Sequence, residues 1–173
     1  MVEHEVVIPE EAIRCRVREL GAAIARDYAG RPLVLIGILN GAFIFTADLA
    51  RAIDLPLEID FVRAASYGQG TCSSGTVSLT KDIELAIAGK DLLLVEDIVD
   101  TGRTLACLRG LLLARSPASL KICALIDKQE RREVAVTVDY AGFTVAEGFL
   151  VGYGLDCAER YRNLPAVCRL LNP

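Results

Sequence analysis

Three short apolar runs constrain the fold most: PLVLIGI at 32–38, DLLLVED at 91–97 and SLKICALID at 119–127. Each has the length of a strand and is apolar at consecutive positions, not alternate ones. A strand of that kind needs cover on both faces, which helices supply in parallel sheets. The intervening residues provide those helices. Pro9, Glu10 and Glu11 suit a helix start, running to about Tyr28, with Gly30 as the stop. FIFTADLARAI (43–53) and GRTLACLRGLLLARS (102–116) read as two more helices, with Pro117 beyond the second. LEIDFVRAASY (57–67) reads as a strand, VSLTKDIEL (77–85) as a strand leading back to the body, and EVAVTVDY (133–140) as a briefly alternating one. GFLVGYG (148–154) is a short apolar strand or turn, and the tail closes the domain. The expected fold is α/β, an open, mostly parallel sheet flanked by helices, in one domain over 1–173. In such sheets ligands bind outside the carboxyl ends of the strands. LNGA (39–42), EDIVDTG (96–102) and DKQ (127–129) follow strands directly and should converge on that edge.

Composition removes several kinds of function. The 173 residues are 53% hydrophobic, enough for one substantial core. The net charge is −4 with no basic stripe, which argues against a nucleic-acid partner. A small anion remains possible as ligand, since backbone N–H groups and a metal ion can hold phosphate. His4 is the only histidine and lies in a segment expected to be mobile. That removes Ser–His and Cys–His catalysis and leaves proton transfer to Asp, Glu, Lys or Tyr. Six cysteines with no CxxC pair read as reduced thiols. The acidic start MVEHEVVIPE does not resemble a signal peptide, and no apolar run approaches membrane length, so a cytoplasmic, non-membrane setting is expected.

The stretch LLLVEDIVDTGRTL (92–105) carries the chemistry. Glu96 and Asp97 follow a buried run, where two adjacent carboxylates repel each other. There they can accept hydrogen bonds from vicinal sugar hydroxyls, directly or through Mg²⁺ and its waters. Asp100, Thr101, Gly102, Arg103 and Thr104 turn into the next helix, whose first N–H groups favour an anion. Gly102 lets the backbone approach, and Thr101 and Thr104 add hydroxyl donors. Sugar hydroxyls beside a phosphate describe a ribose 5-phosphate. For any single residue the plainer reading, a helix cap or a solvated acid, is stronger. For the whole string after a buried strand it is weaker.

VEDIVDTGRT resembles the phosphoribosyl-pyrophosphate signature of the type I phosphoribosyltransferases. GILNGAFIFTADL, ASYGQGTCSSGTV, LIDKQERR, DYAGF and GFLVGYGLDCAERYRNLP resemble, in order and spacing, segments of the hypoxanthine-guanine phosphoribosyltransferases, so the similarity runs from about residue 33 to 167. The resemblance implies the type I fold, with a small hood from the chain ends and a mobile lid loop. It implies purine salvage: a 6-oxopurine, hypoxanthine or guanine, plus 5-phosphoribosyl 1-pyrophosphate gives IMP or GMP and pyrophosphate, with Mg²⁺. By residue, Glu96 and Asp97 would hold the ribose hydroxyls and Mg²⁺, and Asp100 to Thr104 the 5-phosphate. Asp100 would share the proton at purine N7 as the catalytic acid–base. Lys128 would donate to the 6-oxo group, Phe149 would stack on the base, and the Leu150 backbone would meet the base edge. Leu39, Asn40 and Gly41 would form the pyrophosphate loop, and Leu39–Asn40 is the peptide that is often cis in that family. Asp156 would serve a second Mg²⁺, Arg162 would contact pyrophosphate, and Ser66 and Tyr67 would belong to the lid.

The match departs at Asn40, where many relatives carry Lys or Arg, at Gln129 for Pro, at Cys157 for Tyr and at Gly148 for a bulkier residue. Rival readings are a nucleotide-sensing regulator on the same fold, a receiver-type signalling domain, and a sister transferase preferring xanthine. The regulator should show a basic face. The receiver has no use for the Gly–Arg–Thr helix entry. Family analogy also implies a homo-oligomer, dimer or tetramer.

Overall fold

The computed structural model describes residues 3–64 and 78–171. Its order is β1(His4–Ile8), α1(Glu10–Asp27), β2(Leu33–Ile38), α2(Phe43–Ala52), β3(Leu57–Ala64), β4(Leu79–Lys81), β5(Asp91–Val99), α3(Arg103–Leu113), β6(Ser119–Lys128), β7(Tyr140–Val145), β8(Leu150–Val151), β9(Val167–Leu170). The main sheet runs β4-β3-β2-β5-β6-β7. All its neighbours are parallel except the edge pair β3–β4.

The continuous apolar runs occupy the middle of this sheet, as doubly covered strands should. Their side chains alternate between two clusters. Leu33, Leu35, Leu93, Val95, Cys123 and Leu125 face α1 and α2, meeting Ile13, Val17, Leu20, Ile24, Phe45 and Leu49. Val34, Ile36, Leu92, Leu94, Ile122 and Ala124 face α3, meeting Leu105, Leu108 and Leu112. Leu92, Leu93, Leu94 and Val95 are fully buried, and burial of such a side chain contributes about 1.5–3 kcal/mol. This core fixes the carboxyl ends of β2, β5 and β6 side by side. Gly21 permits the close α1–α2 crossing: a Cβ there would lie 2.5 Å from the Ala52 carbonyl oxygen.

A second, antiparallel sheet, β1-β9-β8, joins the two ends of the chain into a hood. The segment holding His4 is therefore not mobile. It forms β1, pairing His4 with Leu170 and Val6 with Cys168. Two other expected strands are shorter than the sequence suggests. VSLTKDIEL pairs only over Leu79–Lys81. Beyond that the buried Asp60 carboxylate accepts from Lys81 Nζ and from the Glu84 and Leu85 N–H groups, a side chain replacing a neighbouring strand. EVAVTVDY lies outside the strands until Tyr140. Val136 and Val138 pack on the α3-side cluster, so the alternation reports one buried face without a ladder. Cys123 and Cys168 are buried free thiols, and Cys15 and Cys157 are also free. Cys107 lies half-buried on α3. Among the described residues no helix is long and apolar enough to cross a membrane.

At the opposite edge from these carboxyl ends, Asp91 ties three elements together. Its carboxylate accepts two 2.8 Å bonds from the Arg31 guanidinium, before β2, and one from the Ser119 hydroxyl at the start of β6. The Arg31 bond, with Ser119 adding to it, holds the Asp91 carboxyl below its usual range despite burial. Asp91→Ala should cost about 1–2 kcal/mol at neutral pH, leaving the carboxyl edge unaltered. A carboxyl with a depressed folded pKa stabilises above its unfolded pKa, and that contribution is lost as pH falls through the folded value. Denaturant midpoints of the two proteins should therefore converge in acid, and a constant gap down to low pH would count against this role.

Candidate active site

Where β2, β5 and β6 end, the chain brings its unusual residues together. Glu96 and Asp97 lie on β5, three and two residues before its last, Val99. Both are set deep in the protein while keeping part of their surface open. Glu96 Oε1 accepts from the Asp97 N–H at 3.1 Å, and Asp97 Oδ1 from the Ile98 N–H at 2.7 Å. Among the described residues no cation forms an ion pair with either. Burial, and next the Asp97 charge, push the Glu96 carboxyl well above its ordinary range. Burial raises Asp97 too, opposed by its hydrogen bonds and by the charge of Arg162. Two acids held this way, without a direct ion pair among the described residues, are poised for hydroxyl donors or a cation.

The β2 loop passes directly over Asp97. A Cβ on Gly41 would fall 1.8 Å from Asp97 Oδ2, so any larger residue there would push the carboxylate out of its present position. The Leu39–Asn40 peptide is cis, as the resemblance implied. On its far side Gly154 (φ +103°) approaches so closely that a Cβ would lie 2.0 Å from the Gly41 carbonyl oxygen. The turn Gly152–Tyr153–Gly154 thus backs the loop, and the Tyr153 hydroxyl donates to Asp48 on α2 at 2.6 Å. Sequence reading had not assigned this buttress. Two glycines around a tyrosine were its only visible sign.

After β5, Asp100 to Thr104 wrap a cavity of about 200 Å³ lined by Glu96, Ile98, Val99, Asp100, Thr101 and Thr104, among others. Gly102 takes φ +82° as the N-cap of α3, and no side chain of its own caps the helix. The Thr101 hydroxyl reaches the Arg103 N–H only at 3.4 Å. The α3 entrance therefore keeps donors for an anion. Asp100 Oδ1 is buried with no hydrogen-bond partner, while Oδ2 lies 3.5 Å from the exposed Arg131. Arg103 turns outward and pairs with Glu133.

The third wall comes from β6 and the hood. Lys128 is only 6% exposed. It donates to the Gly148 carbonyl at 3.1 Å and pairs with Glu130 at 3.2 Å. That bond places Lys128 beside Phe149 and Leu150. The Phe149 ring is 45% exposed, which removes the plain reading of it as a core residue, whereas Leu150 is buried at the start of β8. Gly148 adopts φ +104°, a conformation that side chains disfavour, and this accounts for glycine there. Arg162 donates to the Gly154 carbonyl at 2.8 Å and pairs with Asp156 and Glu159, both at 3.0 Å. Asp156 and Arg162 thus meet each other. Ser66 and Tyr67 lie outside the described residues.

A larger cleft of about 510 Å³ lies between α1, α2 and the hood. Four of its charged residues are already matched, Arg14 to Glu10 and Arg51 to Asp48. The smaller cavity holds the buried, unsatisfied Asp100 Oδ1 beside Glu96, and chemistry is better sought there.

The comparison with known families bears on this crevice: residues 9–158 match the phosphoribosyl transferase domain. The chain belongs to the phosphoribosyltransferase family. It is 48% identical to the hypoxanthine phosphoribosyltransferase of Salmonella typhimurium, covering 96% of this chain and 95% of that protein. With the Escherichia coli hypoxanthine phosphoribosyltransferase it shares 47% identity over the same fractions. Among solved structures, a hypoxanthine-guanine phosphoribosyltransferase of Bacillus anthracis superposes with TM-score 0.93 at 44% identity, covering 99% of this chain and 100% of that one. A Staphylococcus aureus hypoxanthine phosphoribosyltransferase gives 0.91 at 45% identity, over 96% and 90% of the two chains.

Proposed function

We propose that this phosphoribosyltransferase joins a 6-oxopurine, hypoxanthine or guanine, to 5-phosphoribosyl 1-pyrophosphate, forming IMP or GMP. A bond forms between purine N9 and ribose C1, the bond from C1 to pyrophosphate breaks, and the purine loses one proton. The observation that carries this reading is the crevice lined by Glu96, Asp100, Thr101 and Thr104, in which Asp100 Oδ1 is buried without a donor and Glu96, like its neighbour Asp97, has no ion-pair partner among the described residues.

Glu96 and Asp97 accept from the ribose hydroxyls. The 5-phosphate sits at the entrance to α3, against the N–H groups and hydroxyls of Thr101 and Thr104, with Gly102 giving close approach. Asp100 shares the N7 proton. Lys128 donates to the 6-oxo group. An ammonium has donors only, so the 6-amino group of adenine is a poor partner. Phe149 stacks on the base and the Leu150 backbone meets its edge. Leu39, Asn40 and Gly41 hold pyrophosphate chiefly through the backbone, because Asn40 brings no positive charge. Arg162 adds a guanidinium once its carboxylate neighbours yield. Ser66 and Tyr67 belong to a covering loop that keeps water from a cationic ribose.

The donor set also fits Mg²⁺. Among the described residues no three acids, histidines or cysteines gather into a cage. Mg²⁺ ordinarily keeps waters and substrate oxygens and takes only one or two carboxylates, which Glu96 and Asp97, or separately Asp156, can supply. When bound it would offset charge on pyrophosphate. A cytoplasmic homo-oligomer, dimer or tetramer, completes the proposal. Phe43 and Ile59, each more than 40% exposed, are apolar surface suited to such contact.

The deciding experiment is a base panel. With phosphoribosyl pyrophosphate and Mg²⁺, hypoxanthine or guanine should release pyrophosphate and adenine should not. No release with any 6-oxopurine would overturn the activity, and faster release with xanthine would move it to the sister transferase.

A further inference from the structure

We infer that Arg132 is a positioning residue that locks the base-reading strand to the acid–base loop, an inference that rests on the activity proposed above. The β5–β6 ladder ends at the pair Val99↔Asp127. The next residue on each side is the one with chemistry to do: Asp100, just past the end of β5, and Lys128, the last residue of β6. No β5–β6 ladder pair holds these two in register, although Lys128 still pairs with Val145 of β7, so tying them together needs donors from outside the two strands. Arg132 supplies the donors. Its Nε–H donates to the Asp100 carbonyl at 2.9 Å. Its Nη2 reaches the Val99 carbonyl at 3.2 Å, the Lys128 carbonyl at 3.1 Å and Asp127 Oδ1 at 2.5 Å. The guanidinium thus continues the sheet for one more residue, by side chain instead of main chain.

Burial makes the arrangement specific. The Arg132 side chain is 17% exposed and that of Asp127 15%, so the pair is largely removed from water. Asp127 supplies the counter-charge that a buried guanidinium needs. The fork is planar and its donors are fixed relative to one another. A lysine offers three donors at one point and lacks the second arm by which Nε–H reaches the Asp100 carbonyl while Nη2 serves Val99 and Lys128. Arg132 itself touches neither crevice nor substrate. It acts through two backbones, setting where the Asp100 carboxylate stands relative to the Lys128 ammonium. A purine must meet both at once, N7 at one and the 6-oxo group at the other, so relative placement matters more than either position alone. Misplacement by about 1 Å at a reacting centre can cost on the order of a hundredfold.

The test compares the wild-type protein with Arg132→Ala and Arg132→Lys, using phosphoribosyl pyrophosphate, Mg²⁺ and hypoxanthine. Turnover per folded molecule should fall about ten- to a hundredfold in both variants. KM for phosphoribosyl pyrophosphate should rise much less than turnover falls, because the ribose contacts of Glu96 and Asp97 stay in place and only the Asp100 carbonyl at the edge of the cavity loses its donor. Added guanidinium ion should restore part of the turnover of Arg132→Ala, and ammonium at equal ionic strength should not. Should the Ala protein fail to fold, Arg132→Lys is judged by the same split between kcat and KM. Unchanged turnover in either folded variant overturns the inference. So does a loss that tracks folded fraction alone, with no response to guanidinium, which would make Arg132 a stability residue only. A wild-type protein without turnover overturns the activity itself, and the positioning role with it.

Discussion

Asp100→Ala should lower turnover with hypoxanthine by about 10²- to 10⁴-fold, the range for removal of a positioned acid–base group. Affinity for phosphoribosyl pyrophosphate should fall far less. The difference follows from where Asp100 stands. Its main chain helps frame the phosphate cavity and is held by Arg132, so truncating the side chain leaves that frame. Its Oδ1, by contrast, is buried and unpartnered, an acceptor whose solvation was given up with nothing in return inside the free protein. Asp100→Asn separates shape from proton affinity. An amide fills the same volume but cannot take a proton, so Asn should be nearly as slow as Ala. Steady-state kinetics on both variants check this. Full turnover in Asp100→Asn would show that the side chain only fills space, and an equal loss in kcat and in ground-state binding would make it a binding group.

Much of this site was legible in the sequence because its parts are local. Glu96 to Thr104 lie within one strand–turn–helix, and the apolar run before them announces the buried strand. Lys128 was readable for the same reason, at the end of a strand. Contacts made across sequence distance were not readable. Nothing in LVGYGLD says that Gly154 will press on Gly41. Nothing in KQERR says that its last arginine will serve carbonyls 32 and 33 residues earlier. The mistaken strand bounds have a related cause. Alternation reports one-sided burial, and Val136 and Val138 obtain that by packing on α3-side residues without a ladder. The β1 strand was missed because its partner β9 lies at the other end of the chain, and five residues carry little periodicity by themselves.

Glu96→Gln should move stability and binding in opposite directions. The folded protein holds the Glu96 carboxyl well above its ordinary pKa through burial and the Asp97 charge. An acid with a raised folded pKa contributes stability that is full below its unfolded pKa and is lost as pH rises through the folded value. At neutral and alkaline pH the ligand-free protein therefore bears the cost of two adjacent carboxylates, and glutamine removes one of them at nearly constant volume. The variant should melt at a higher temperature than wild type without ligand, by a margin that widens with pH. Binding should suffer, because glutamine replaces one acceptor with a donor where ribose hydroxyls need acceptors. Losing a hydrogen bond to a charged group costs about 1.5–3 kcal/mol, or roughly 10- to 100-fold in affinity. Saturating phosphoribosyl pyrophosphate with Mg²⁺ should then stabilise wild type more than the variant and narrow or reverse the order of the melting points. Thermal melts across pH, with and without ligand, read both effects together. A variant that melts below wild type in the absence of ligand would mean that the carboxylate stabilises the empty protein, and the electrostatic strain assigned to the pair would be wrong.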